Sequence, residues 1–96
     1  MADDELQAWA IRYQMPIVDL KNLELKHETL AHISASMARH YQLVPVDFDE
    51  GTLTVAMPAP PELQALDDLR FILDIRVQGA LARRAEVEAA LVRWYP

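Results

Sequence analysis

The sequence predicts a small α/β sandwich of α+β type, a three-stranded mixed sheet with helices in the order α-α-β-β-α-β-α. Three observations carry this prediction. Leu43 to Pro61 reads as a hairpin, with Val44, Val46 and Phe48 alternating before the turn and Leu53, Val55 and Met57 after it. His27 to His40 carries apolar or small residues at helical spacing, namely Leu30, Ile33, Ser34, Met37, Ala38 and Tyr41. The second hairpin strand is then followed by a helical stretch and a third strand, a βαβ order. Such a unit makes the two strands parallel, with a crossover expected to be right-handed.

Each element has a local reason. Asp3 to Gln14 is expected to be a first helix, capped by Asp3 or Asp4, with Leu6, Ala10 and Tyr13 on one face and Trp9 beside them. Pro16 ends it, because the residue before a proline is pushed out of the helical region. Ile17 to Lys26 reads as an extended connector whose Val18, Leu20, Leu23 and Leu25 pack on the core. The second helix, His27 to His40, leads into the hairpin, where Asp49-Glu50-Gly51 supplies a residue that tolerates positive φ. Pro60-Pro61 opens a third helix in its first turn, with Leu63, Leu66, Leu69 and Leu73 buried. Ile75, Val77, Gly79 and Leu81 alternate as the third strand, and Ala85 to Tyr95 closes the chain as a helix burying Val87, Leu91 and Trp94 or Tyr95. Residues 1–96 are read as one domain.

Composition narrows the function classes. A chain of 96 residues with 52% hydrophobic and 25% charged content is expected to form one modest core. No stretch approaches the roughly 18 apolar residues of a membrane span. Met1-Ala2-Asp3-Asp4-Glu5 is acidic and does not read as a secretory leader. There is no cysteine, hence no disulfide framework and no thiolate metal site, which fits a cytoplasmic location. A net charge of −6 opposes general nucleic-acid binding. The charge is uneven: residues 1–68 hold twelve acids and four bases, residues 69–96 three acids and five arginines. A dipole of this kind can steer the chain toward a charged protein partner, or be no more than a segregated solvated surface.

Chemistry is sparse. His27, His32 and His40 are spaced by five and eight residues, against the three or four of a helical metal pair. Ser34 and Ser36 sit within the second helix with no base placed beside them, and Ser34 reads as a small residue on the apolar stripe. Asp47, Asp49 and Glu50 lack the ligand ladder of a calcium loop, and Asp67 and Asp68 point about 100° apart on a helix. With Gly51 and Gly79 as its two glycines, the chain has no phosphate-cradling loop. Arg83-Arg84 at the start of the last helix can grip an anion or form a charged rim. Tyr13, Tyr41, Phe48 and Tyr95 sit at core-compatible positions, while Trp9 suits either the core or an interface anchor.

Several strings recur together: Met15-Pro16-Ile17-Val18-Asp19-Leu20, the helix Leu30 to Tyr41, Leu43-Val44-Pro45-Val46, Leu53-Thr54-Val55-Ala56-Met57-Pro58, and Glu86-Val87-Glu88-Ala89-Ala90-Leu91 to Trp94-Tyr95. In this order and spacing the chain resembles the N-terminal domain of the type II secretion and type IV pilus assembly ATPases, an MshEN-like domain, from about Leu6 to Tyr95. It departs from that pattern at Met57-Pro58-Ala59-Pro60, where the family has an aspartate-proline step, and at Phe71-Ile72-Leu73-Asp74, where the family often has threonine-glycine. No Walker motif and no arginine-leucine-glycine motif occurs in the chain.

The resemblance implies a non-enzymatic docking module that ties a cytoplasmic ATPase to the cytoplasmic domain of an inner-membrane platform protein. The module is either stand-alone or part of a larger ATPase, whose own motor domain is then a further partner. No cofactor, metal, nucleic acid or membrane insertion is expected. The expected partner surface is the first helix with Trp9, Arg12 and Tyr13 and nearby acids, joined by Arg83 and Arg84. The alternative is a nucleotide-sensing module that sets Arg83, Arg84 or Arg70 against cyclic di-GMP. The missing arginine-leucine-glycine motif counts against it.

Overall fold

The computed structural model describes residues 2–95 of the chain, with side chains over residues 4–95. Five α-helices and one three-stranded sheet are present among the described residues. In order they are α1 (Ala2–Tyr13), a 3-10 turn (Leu20–Asn22), α2 (His27–Leu30), α3 (Ala35–Tyr41), β1 (Val44–Asp49), β2 (Thr52–Pro58), α4 (Leu63–Leu73), β3 (Arg76–Ala82) and α5 (Arg84–Trp94). The sheet order is β1-β2-β3, antiparallel between β1 and β2 and parallel between β2 and β3. The predicted mixed sheet and βαβ order are therefore observed.

The hairpin closes through a two-residue loop. Asp49 pairs with Thr52, and Glu50 (φ 49°) and Gly51 (φ 77°) both take positive φ, the signature of a primed turn that matches strand twist. Strand β1 is less regular than its alternation implies. Its register shifts between Pro45 and Asp47, a bulge at Val46, so Val44 and Pro45 are both buried while Phe48 emerges 39% exposed. Phe48, expected in the core, instead stacks on His32 with ring centroids 4.2 Å apart.

β2 also departs from one-sided alternation. Val55, Ala56, Met57 and Pro58 are buried in succession, as are Ala80, Leu81 and Ala82 of β3. The C-terminal halves of the two parallel strands are buried on both faces, which alternation alone does not anticipate. Helices α1 and α4 pack on β3, and α5 packs on β1 and β2.

The expected helix His27 to His40 is two helices. Ser34 is extended (φ −71°, ψ 158°), and its hydroxyl accepts a hydrogen bond from the Met37 N–H at 3.1 Å. It caps α3 rather than packing in a stripe, because a serine oxygen satisfies an amide that the first helical turn leaves unbonded. Ile33 stays buried at the corner between the two helices. Pro60 and Pro61 likewise precede α4 without entering it; the cap is Glu62, and Leu63, expected to be buried, is 46% exposed. Ala65, Leu66 and Leu69 supply the buried face of α4.

Helix α1 ends at Tyr13, with Gln14 left-handed (φ 54°) and the Met15 N–H bonded to Ala10 O at 3.0 Å, two residues ahead of Pro16. Asp4 lies inside the first turn, and the Asp3 side chain falls outside the described residues. The connector is extended at Leu23 and Lys26 as well as around Ile17, but the 3-10 turn Leu20–Asn22 interrupts it. Leu81 N–H donates to Pro16 O (2.8 Å) and Val18 N–H to Leu81 O (2.9 Å), forming one parallel bridge at Ile17.

Candidate interaction surface

Both parallel strands point their C-terminal ends at the start of α5, and α1 crosses beside that point. A groove of about 380 Å³ lies between them. Glu5, Leu6 and Trp9 of α1 form one wall, Arg83, Arg84 and Ala85 the other, and Ala59 and Ala82 lie at the strand ends. In sheets with parallel strands, the crevice beyond the carboxyl ends is where ligands and partners are commonly received.

Trp9 is half-buried, packing on the core while presenting surface to the groove. Its ring stacks on that of Tyr13, one turn along α1, at 5.8 Å and an interplanar angle of 22°. The Arg12 guanidinium sits 5.4 Å from the Trp9 centroid and 5.9 Å from that of Tyr13, within cation–π range of both. The three α1 residues expected at a partner surface thus form one aromatic–cation ridge.

Arg83 occupies the N-cap position of α5, and its Nη1 donates to Glu86 Oε2 at 2.8 Å. Arg84 follows as an exposed residue in the first turn. Cations there face the positive end of the helix dipole, which Glu86 offsets in part. Among the described residues, the groove therefore has a basic rim on the α5 side and one acid, Glu5, on the α1 side.

Of the residues singled out in the sequence, Trp9, Arg83 and Arg84 come together here, and Arg12 joins through its contact with Trp9. Tyr13 faces a separate hollow between α1, β3 and α4. Arg70 lies in that hollow too, where its Nε donates to Val77 O (2.9 Å) and its Nη1 pairs with Asp67 (2.7 Å). It is not grouped with Arg83 and Arg84. Glu5 is one of the acids expected near Trp9, whereas the alanine floor carries no sequence signal, since nothing local links Ala59 and Ala82 to α1.

Two tyrosines hold the frame around this surface. The Tyr95 hydroxyl donates to Leu30 O at 2.8 Å, and burial pushes its pKa up to about 12. The Tyr41 hydroxyl donates to Asp68 Oδ2 at 3.3 Å. Desolvation first, then the charge and hydrogen bond of Asp68, hold its pKa above the ordinary tyrosine value. Gln64 Nε2 bonds the other Asp68 oxygen at 2.8 Å, so Asp67 and Asp68 serve different neighbours, as their angular separation on a helix requires.

Comparison with known proteins adds three findings. The family model of the MshEN domain matches residues 13–96. Over 84 residues the chain is 26% identical to the type IV pilus assembly ATPase PilB of Myxococcus xanthus (strain DK1622), a match covering 88% of this chain and 15% of that protein. The chain thus spans a small part of that relative's length. The fold superposes on a solved structure of MshE with cdg at a TM-score of 0.89, with 21% identity over 99% of this chain and 69% of the other. It superposes on the N-terminal domain of XpsE at 0.79, with 21% identity over 98% of this chain and 66% of that one.

Proposed function

This chain belongs to the MshEN domain family, and we propose that it is a non-enzymatic docking domain of a type II secretion or type IV pilus type machine. Residues 1–96 act in this reading as one cytoplasmic module. It links a secretion ATPase to the cytoplasmic domain of an inner-membrane platform protein, and where it is part of a longer chain it also abuts the ATPase domain. The observation that supports it best is the groove joining Trp9 to Arg84 at the strand ends. A half-buried tryptophan flanked by arginine has the composition of an interface anchor, and a negative partner surface would relieve Arg84 at the α5 dipole. Arg12, Tyr13 and Arg83 complete the proposed surface.

Calorimetry of the chain with the cytoplasmic domain of a platform protein tests this. Binding is expected, weakened about tenfold or more by Trp9→Ala and by Arg84→Glu. Absence of binding to any such domain removes the reading.

A second reading, cyclic dinucleotide sensing, draws on the likeness to MshE, which was solved with cdg. That chain extends beyond the part matched here, and this one lacks the arginine-leucine-glycine motif. Titration with cyclic di-GMP followed by amide shifts separates the two: shifts clustered at Arg83, Arg84 or Arg70 favour sensing, and none favours docking alone.

A further inference from the structure

The outer edge of β3 is incompletely paired, and the sequence shows why. In a strand, successive residues turn their backbone groups to opposite edges. Leu81 points its N–H and C=O outward to Pro16 and Val18, and Val77 C=O points outward to Arg70 Nε at 2.9 Å. Gly79 lies between them and faces the same way. Continuing the parallel bridge by one step would require an N–H from residue 16 to reach Gly79 C=O. Residue 16 is proline and has none. The same step would require Gln14 C=O to accept from Gly79 N–H, but Gln14 is left-handed at the end of α1 and the strand has ended. Among the described residues, neither backbone group of Gly79 has a partner along this edge.

Gly79 is half-buried and lines a hollow of about 370 Å³, flanked by Tyr13 and Met15 on one side and by Leu63 and Arg70 of α4 on the other. A glycine in a strand often marks a place where another backbone approaches closely. The opposite edge of the sheet differs: β1 carries Pro45, a bulge, and Asp47 and Asp49, all features that discourage strand addition.

We propose that the β3 edge at Val77 to Gly79 receives an extended segment of a partner protein, added as a strand beyond Pro16. The segment exchanges backbone hydrogen bonds with Gly79 and sets an apolar side chain against the half-exposed Leu63, because Leu66 and Met15 already close the space over Gly79 itself. Arg70 acts as a placeholder, its Nε supplying at Val77 C=O the donor that the incoming strand would bring. A lone extended segment is the occupant, and not a second copy of this chain. The edge is recessed between α1 and α4, so a second sheet bearing its own helices would collide with both, and two chains of net charge −6 repel. The site is separate from the groove at Trp9 and does not depend on that groove's function.

The test uses the full chain and a displayed library of random twelve-residue peptides. Selected peptides are expected to slow exchange of the Gly79 amide about tenfold or more and to lose about tenfold in affinity on Leu63→Glu, a change at the surface. They should lose as much when the peptide residue that faces β3 is N-methylated, which spares side chains and removes one donor. Arg70→Ala should strengthen binding by opening Val77 C=O. The proposal is overturned by a library that yields no binder, by binders that leave Gly79 exchange unchanged, or by binders indifferent to N-methylation. Sedimentation of the chain alone provides the remaining check: a dimer abolished by Leu63→Glu would replace the partner segment with a second copy.

Discussion

The hydroxyl of Tyr95 donates a 2.8 Å hydrogen bond to the backbone carbonyl of Leu30, 65 residues earlier in the chain. From the other side, Arg39 Nη1 donates to the carbonyl of Tyr95 itself at 2.7 Å. The end of α5 is thereby fastened to α2 and α3, and the start of α5, where Arg83 and Arg84 stand, is held in register with the strand ends.

Tyr95→Phe is expected to cost about 1–2 kcal/mol, since Leu30 C=O would be left without its donor in a buried setting. The pH dependence follows from the same bond. The pKa of Tyr95 stands at about 12 in the folded protein against an ordinary 10.0. Folding therefore favours the protonated form. That contribution is fully present below pH 10 and is lost as pH rises toward 12. Urea denaturation of both proteins between pH 8 and 12 should show a smaller alkaline loss in the phenylalanine variant. Parallel curves would mean that Tyr95 ionises freely in the fold.

Ser34 separates α2 from α3, and its role can be measured directly. Ser34→Ala removes the acceptor for Met37 N–H while leaving an excellent helix former in place. A loss of about 1 kcal/mol is expected, as for other N-caps. Ser34→Asp should retain most of the stability, because its carboxylate can accept the same bond and suits the helix dipole. If alanine stabilises the chain instead, residues 27–41 prefer the single helix that their periodicity suggests.

The parts of the fold legible in the sequence are those decided within a few residues. Glu50-Gly51 marks its own turn, and Val77, Gly79 and Leu81 announce a strand. Ser34 misleads because a small residue on an apolar stripe and an N-cap share one spacing, and only the backbone angle tells them apart. Phe48 misleads because a bulge two residues earlier spoils its alternation. Ala56 gives no sign that this end of β2 is buried on both faces. At the candidate surface, Trp9, Arg83 and Arg84 were each noticeable for their chemistry. Their meeting was not, since Trp9 and Arg84 are brought together by the order of the strands and by no local signal.

Four non-glycine residues among those described take positive φ, and two of them, Glu50 and Asp74, are acidic. Asp74, at the end of α4, takes φ 55°, and its charge faces the negative end of the helix dipole. Asp74→Gly removes both penalties and should stabilise the chain by about 1 kcal/mol, raising Tm by roughly 4–8 °C. Glu50, at φ 49° in the hairpin, should gain a smaller amount as Glu50→Asn, since Asn-Gly is the preferred primed-turn pair. Calorimetric scans of the two variants decide it; a lower Tm in either would show that the native side chain makes a compensating interaction.

Gly79 is tight on its side-chain face. A Cβ at this position would lie 3.1 Å from Leu66 Cδ1, 3.1 Å from Met15 Cε and 3.3 Å from Met15 Sδ. Leu66 is buried in the α4 face and cannot retreat, whereas the half-buried Met15 is flexible. Gly79→Ala gains by restricting the unfolded chain but crowds two neighbours at once, and overpacking of this kind costs more than the roughly 0.4–1 kcal/mol gained. A net loss of about 1 kcal/mol is expected. Met15→Ala alone also destabilises, by leaving a gap over β3. Combined, the two changes should be less damaging than their sum by at least about 0.5 kcal/mol, because the alanine methyl at position 79 then enters the space the methionine vacates. Denaturation of the wild type, both single variants and the double variant measures this coupling. Strict additivity would mean that Leu66 bears the crowding alone, and that the turn after α1 does not press on the β3 edge.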